Sequence, residues 1–577
     1  MSASQGAAQR FGPRLEGDRA IFQLWAPAAT AVATMIEGSS PIALTRDADG
    51  FWSAAAPARV GDLYRFDVDG RLVSDPASRF QPDDVSGPSE LTDARAYVWR
   101  HPDWAGRPWE ETVLYELHAG LLGGFQGVRG RLKAIAALGV TAIELMPVAD
   151  FAGARNWGYD GVLPFAPDSA YGRPDDLRAL VDEAHGLGLM VFLDVVYNHF
   201  GPEGNWLPAY APTFFDEAQQ TPWGAAIDFH KQAVRRFFTE NALYWLRDFR
   251  IDGLRLDAVH AIDDRSWLVE LAREVRARIP GRHAHLVVEN ENNDAALLRQ
   301  GFDAQWNDDF HNVLHVLLTG ETHAYYRDFG GHPARKLARC LSEGFIYQGE
   351  PSPNHDGRPR GQPSADLSST AFVSFLQNHD QVGNRALGER LTTLADPRAL
   401  KAAMSLLLLC PQIPMLFMGE EVGAREPFLF FTDFQGDLAS AVREGRRKEF
   451  SGQPGFTDPA TCARIPDPNA LSTFEASRWT ENATDADEWR TLITQLLTLR
   501  RVRIVPGLKG CKTLGAVVLD SKAVLARWRL GDGATLTLAV NLGVDPAEAD
   551  LPGCAPLMGD HPGNAVPPHT TLAWIEP

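Results

Sequence analysis

Met190-Val191-Phe192-Leu193-Asp194-Val195-Val196-Tyr197-Asn198-His199 is an apolar run that carries one acid and closes on an amide and a histidine. A strand so continuously apolar is buried on both faces, the habit of parallel sheets. Runs of the same kind recur at residues 113–117, 141–146, 251–257, 285–289, 302–306, 371–376 and 413–418. Helical patterns fall between them. Leu177, Leu180, Val181 and Ala184 recur at helical spacing behind Asp175-Asp176, and Gly186 follows as a stop. Eight strand–helix units over about 340 residues predict an α/β fold, a (β/α)8 TIM barrel with insertions.

The flanks read differently. Before the barrel, short alternating runs such as residues 20–25 and 63–68 are separated by turn signals, among them Asp47-Ala48-Asp49-Gly50. This spacing predicts a small immunoglobulin-like β-sandwich over residues 1–95. Residues 75–88, polar and proline-bearing, read as a linker. The catalytic barrel is expected over residues 96–500. A second small β-domain is expected over 501–577, where strand patterns return at 523–528 and 535–540.

Composition narrows the function. The 577 residues carry a net charge of −19 with no Lys/Arg-rich block. A duplex or an anionic membrane repels such a surface, so neither nucleic acid nor membrane is an expected partner. Five scattered cysteines without a CxxC pair suit a reducing compartment. The N-terminus has no apolar core of a signal peptide, and the expected location is cytoplasmic.

Barrel active sites form where strands end. Asp194 and His199 lie at the third strand end, and Arg255, Asp257 and His260 at the fourth. Glu289 closes the fifth, and His379 and Asp380 follow the seventh. One acid at a strand end is commonly only a helix cap, but four such ends make a coherent set. Paired carboxyls suit glycoside cleavage, whose transition state resembles an oxocarbenium ion. Arg255, two residues before Asp257 and so on the same side, favours an ionised Asp257 as the nucleophile. Glu289 follows an apolar run that raises a carboxyl pKa and suits an acid/base. Asp380 is placed to grip sugar hydroxyls as the ring distorts.

These strand ends resemble the four signature regions of the α-amylase family of glycoside hydrolases: residues 194–199, 255–260, Glu289, and His379-Asp380. The resemblance implies that Asp257 is the nucleophile, Glu289 the acid/base and Asp380 the transition-state stabiliser. It also implies sugar contacts from His199, Arg255 and His379, with Tyr159 of Asn156-Trp157-Gly158-Tyr159-Asp160 under the reacting ring. The stretches at 306–311, 375–385, 427–433 and 441–447 resemble the members of that family that release trehalose from a maltooligosaccharide chain. Hydrolysis of the α-1,4 bond joining trehalose to that chain, with retention, is therefore the expected activity, on maltooligosyltrehalose and related α-glucans. Asp308, Asp309 and His311 after the sixth strand, and Gln381 and Asn384 after the seventh, are expected to position substrate. Trp223 and Phe431 are candidate stacking surfaces. No metal and no organic cofactor are expected. A glycogen branching enzyme, sharing sandwich, barrel and acids, or another α-glucan-acting member of the family such as a debranching enzyme, is the alternative. One departure is the loop at residues 118–125, about two residues shorter than is usual for that family.

Overall fold

The computed structural model describes residues 9–221, 224–481, 483–559 and 563–577. Its centre is a closed barrel of eight parallel strands. They are β1 (Leu114–Leu117), β2 (Ala142–Leu145), β3 (Met190–Val195) and β4 (Gly253–Leu256), then β5 (His285–Val288), β6 (Ala304–Trp306), β7 (Phe372–Ser374) and β8 (Ile413–Phe417). All eight runs read from the sequence are barrel strands; β3 keeps its apolar run 190–195 whole, and the other seven are shorter than their runs by one to three residues. Among the trimmed positions are Asp257 and Glu289, which follow β4 and β5 directly and leave the ladder at the mouth of the barrel. The helix patterned on Leu177 is observed as Pro174–Gly186, with Leu177, Leu180, Val181 and Ala184 all buried against the barrel.

Barrel closure makes tight demands on single residues. Gly253 opens β4 beside Phe192 of β3, and a Cβ at that position would lie 2.1 Å from the phenyl ring. The phenyl occupies the space a side chain would take, so Gly253→Ala overpacks the barrel. Its expected cost is about 1–3 kcal/mol, read from denaturant unfolding.

Ahead of the barrel, two antiparallel sheets face each other. One pairs Arg14–Glu16, Arg19–Trp25, Phe51–Pro57 and Thr45–Arg46 in that order. The other is built on Val32–Ile36 and Leu63–Val68. The segment at 75–88 is not a loose linker. Most of it is buried, and its polar groups satisfy one another: Tyr64 donates to Asp75 (2.7 Å), Ser74 to the Val85 carbonyl (2.7 Å) and Ser89 to Gln81 (2.6 Å). Polarity signalled a linker, but here it marks a hydrogen-bonded seam.

After the barrel, Lys512–Asp520, Ala523–Arg529, Thr535–Asn541 and Thr570–Glu576 form an antiparallel sheet. It sits against the helices Pro333–Glu343 and Pro397–Leu409, where Thr571 donates to the Ala402 carbonyl at 2.7 Å. Among the described residues no helix is long and apolar enough to cross a membrane.

Candidate active site

Arg255 organises the C-terminal mouth of the barrel. Its guanidinium is fully buried on β4 and lies 4.0 Å over the Trp306 ring of β6. Nη1 donates to Asp194 (2.5 Å) and to Asp257 (2.9 Å), while Nη2 stands 3.0 Å from Glu289 as an ion pair without hydrogen-bond geometry. Three carboxyls from three strand ends thus share one cation.

Their environments split them. Burial pushes the Asp257 carboxyl up, but Arg255, His199, the Asn198 amide and His379 outweigh it and hold Asp257 below the usual range. Asn198 donates to both the carboxyl (2.8 Å) and the carbonyl (2.9 Å) of Asp257. Glu289 goes the other way. Burial raises it well above an ordinary glutamate, Arg255 only partly opposes this, and the charges of Asp257, Asp380 and Asp308 add to the rise. Its Oε2 accepts from the backbone N–H of Ala258 at 2.7 Å. Ala258 itself holds φ +40°, a left-handed conformation that costs a non-glycine residue about 1 kcal/mol or more. That strain aims the N–H following Asp257 at Glu289. Asp194, buried and also bonded to the Tyr159 hydroxyl (2.6 Å), is raised by burial to about 6 despite Arg255.

On the opposite rim, His379 opens a five-residue helix (His379–Gly383) capped by the Asn378 side chain. Tyr159 stacks on its ring at 4.9 Å. Its Nε2 lies 3.5 Å from Asp380, whose carboxyl accepts from Asn384 at 3.1 Å. Gln381 donates to Asp308 (3.2 Å), and burial with the nearby Asp380 lifts Asp308 to about 7. His199 donates from Nε2 to the Tyr159 carbonyl (2.9 Å), and its Nδ1 lies 2.5 Å from the Asn198 side-chain oxygen. His260 remains at the rim, its Nδ1 accepting from the Glu291 backbone at 3.4 Å.

Three expected contacts are turned away from this mouth. Asp309 is fully buried, paired with Arg360 (3.0 Å) and accepting from Asn293 (3.0 Å) and the Ile346 N–H (2.7 Å). Its oxygens are used up behind the barrel. Asp308 and Asp309 are consecutive on one helix, so about 100° separates them and only one can face the cleft. His311 is likewise committed, donating from Nδ1 to the Leu376 carbonyl (2.5 Å) and accepting at Nε2 from Tyr326 (3.2 Å). Phe431 is fully buried among His118, Phe428 and Phe474, so it is core rather than a stacking surface. Trp223 lies outside the described residues.

Other members of the cluster escaped the sequence reading. Glu116 on β1 bonds His379, and Asn198 holds Asp257. Glu144 on β2 is buried with neither carboxyl oxygen hydrogen-bonded. Burial and the charges of Asp194 and Glu116 raise it well above the ordinary range. Glu116 and Glu144 each interrupt an apolar strand run, and a lone acid in such a run is the signal that could have found them.

The alpha amylase catalytic domain model matches residues 79–221, and a domain of unknown function matches residues 512–574. A malto-oligosyltrehalose trehalohydrolase of Deinococcus radiodurans is 42% identical over 496 residues, covering 83% of this chain and 80% of that protein. A 1,4-alpha-glucan branching enzyme of Methylococcus capsulatus is 30% identical over 331 residues, covering 52% of this chain and 44% of that protein. The crystal structure of a Salmonella typhimurium protein, described as a candidate alpha amylase, superposes with a TM-score of 0.93. It is 44% identical and covers 99% of this chain and 100% of its own. The match to the branching enzyme is partial on both sides, whereas the trehalohydrolase match spans most of both proteins. The chain belongs to the malto-oligosyltrehalose trehalohydrolase family of glycoside hydrolases.

Proposed function

We propose that this protein hydrolyses the α-1,4-glucosidic bond joining trehalose to a maltooligosyl chain, with retention of configuration. Its membership of the trehalohydrolase family carries the choice of substrate. The opposite perturbation of two neighbouring carboxyls supports the chemistry. Asp257, held ionised by Arg255, attacks the anomeric carbon of the glucosyl unit next to trehalose. Glu289, kept protonated by burial, gives its proton to the departing trehalose oxygen. The covalent glycosyl-enzyme is then opened by water, which Glu289 deprotonates. Both carboxyls sit on adjacent nitrogens of one planar guanidinium, an arrangement that favours the short separation of retaining enzymes. Asp380 and His379 reach the sugar hydroxyls, and Tyr159 lies under the ring. Asp308, Gln381, Asn384 and His260 line the rim along which the chain runs. Asp194 acts through Arg255 and Tyr159, while His199 shapes the floor.

Incubation with maltotriosyltrehalose and, separately, with maltopentaose tests the reading. Fast release of α-configured maltotriose together with trehalose, and slow cleavage of maltopentaose, is the expected result. Longer or branched glucans would transfer the assignment to a transferase, and equal rates would indicate an ordinary amylase.

The rate profile should be a bell. Activity falls at low pH as Asp257 takes up a proton through its lowered pKa, and at high pH as Glu289 loses its proton through its raised one. Glu289→Gln should lower kcat by about 10²- to 10⁴-fold and move the alkaline limb to higher pH, where the next essential proton is lost. It should spare glycosylation by substrates whose leaving group needs no proton. An alkaline limb unmoved in Glu289→Gln would assign that titration to another group.

A further inference from the structure

The apolar barrel strand β1 carries Glu116, 1% exposed, beneath the helix that bears Asp380. Its carboxylate bonds twice to a single residue. Oε1 lies 2.6 Å from Nδ1 of His379, and Oε2 accepts from the backbone N–H of His379 at 3.0 Å. Ring and main chain are therefore fixed by one group, and a ring flip would break the shorter bond. Packing enforces the same pose, with Tyr159 stacked on one face and the edge of Trp157 at 5.6 Å. The Nε2 corner is left 3.5 Å from Asp380.

We propose that Glu116 is a positioning residue for the reaction, holding His379 as an imidazolium whose Nε2–H points to Asp380 and the reacting sugar. The inference rests on the catalytic reading of this site. A neutral ring with its proton on Nδ1 would present a bare lone pair to the Asp380 carboxylate, an unfavourable contact. With both nitrogens protonated, each meets an oxygen acceptor, and the Glu116–His379 pair brings no net charge into the mouth.

The groups facing His379 come from four barrel strands and the segments that follow them, and they act in both directions. Glu116 and His118 belong to β1 and the turn after it, and Glu144 to β2. Tyr159 follows β2, Arg255 and Asp257 belong to β4 and its end, and Asp380 follows β7. Burial, His118 and Arg255 oppose a charged ring. Asp380 and Glu116 overcome them, in keeping with a histidine raised to about 9. Without Glu116 the nearest remaining carboxylate is Asp380, at the longer distance. A ring so deeply buried then loses its proton at lower pH.

The test compares the pH dependence of trehalose release from maltotriosyltrehalose in the parent, Glu116→Gln, Glu116→Asp and Asp257→Asn. Glutamine preserves shape but not charge. We expect His379 in Glu116→Gln to lose its proton before Glu289 does, so that the alkaline limb is set by His379 and lies lower by about one unit or more. We expect kcat to fall by about 10- to 100-fold with KM little changed, the scale on which a functional histidine feels loss of its orienting partner. Glu116→Asp should restore the position of the limb while recovering only part of kcat. A merely structural Glu116 would lower stability and leave the pH profile in place. Nitrogen-15 histidine spectra of the unsubstituted protein, assigned with His379→Gln, provide a readout that needs no folded Glu116 variant. Both ring nitrogens of His379 should be protonated at pH 8. Superimposable profiles for Glu116→Gln and the parent would overturn the proposal, as would a neutral His379 ring at pH 7. Trehalose release surviving in Asp257→Asn would instead overturn the catalytic reading on which it stands.

Discussion

Asp257→Asn is expected to abolish turnover, with kcat falling by about 10⁴-fold or more, while maltotriosyltrehalose still binds. The scale is that of removing a covalent nucleophile from a site whose other parts remain. Asparagine keeps the shape and can still receive the Arg255 N–H on its carbonyl oxygen, so the mouth should stay assembled. What disappears is the anion that attacks the anomeric carbon. The loss of one carboxylate also leaves Arg255 to two acids, Asp194 and Glu289. Glu289 then loses the repulsion of Asp257, gains a larger share of the cation, and its pKa should drop. Single-turnover product analysis and calorimetric titration of the same preparation separate the two effects. Loss of binding with chemistry intact would remove Asp257 from the nucleophile's role.

The second large effect is on stability. Arg255→Met should destabilise the protein by about 3–5 kcal/mol and inactivate it, because it strands charges rather than removing an ion pair cleanly. Asp194, Asp257 and Glu289 would all remain buried without the guanidinium they share. Each would have a folded-state pKa above its unfolded value. Such groups stabilise the fold below their unfolded pKa and withdraw that stability as pH rises through the folded value. The deficit against the parent should therefore be smallest near pH 4 and largest near pH 8. Denaturant unfolding at the two pH values measures it. An equal deficit at both would mean that lost packing over Trp306, not stranded charge, is the cause.

The barrel was legible because eight apolar runs announce buried parallel strands, and no tertiary contact is needed to see them. The acids at the mouth were legible because strand ends are where a barrel exposes function. The failures have geometric causes. Asp309 and His311 lie in a stretch of the right composition, but a helix starts at Asp308 and rotates its neighbours into the wall. Phe431 looked available since an aromatic run does not say which ring is inside, and three ring contacts bury this one. The 75–88 seam misled because a polar segment and a hydrogen-bonded one are spelled with the same residues. Glu116 stood out only as a lone acid, with no sign of its partner, and Ala258 gave no signal at all. One acts on a residue 263 positions away, and the other acts through a backbone angle that no side chain encodes.

The closing pair of strands has a consequence for how the protein is made. β1 is hydrogen-bonded to β8 through the register of Leu114 with Met415. During synthesis the first strand must therefore wait about 300 residues for its neighbour, with one polar edge open and its apolar faces uncovered. At ribosomal rates of about 5–20 residues per second, that delay is on the order of 15–60 seconds. Glu116 meets His379 only late in this interval, so the reactive mouth has no existence in a partly synthesised chain. A nascent protein halted before residue 413 would carry every acid of the site on a barrel that lacks its closing strand. Its yield in a cell should accordingly depend more on factors that shield unfinished chains than on the stability of the finished barrel.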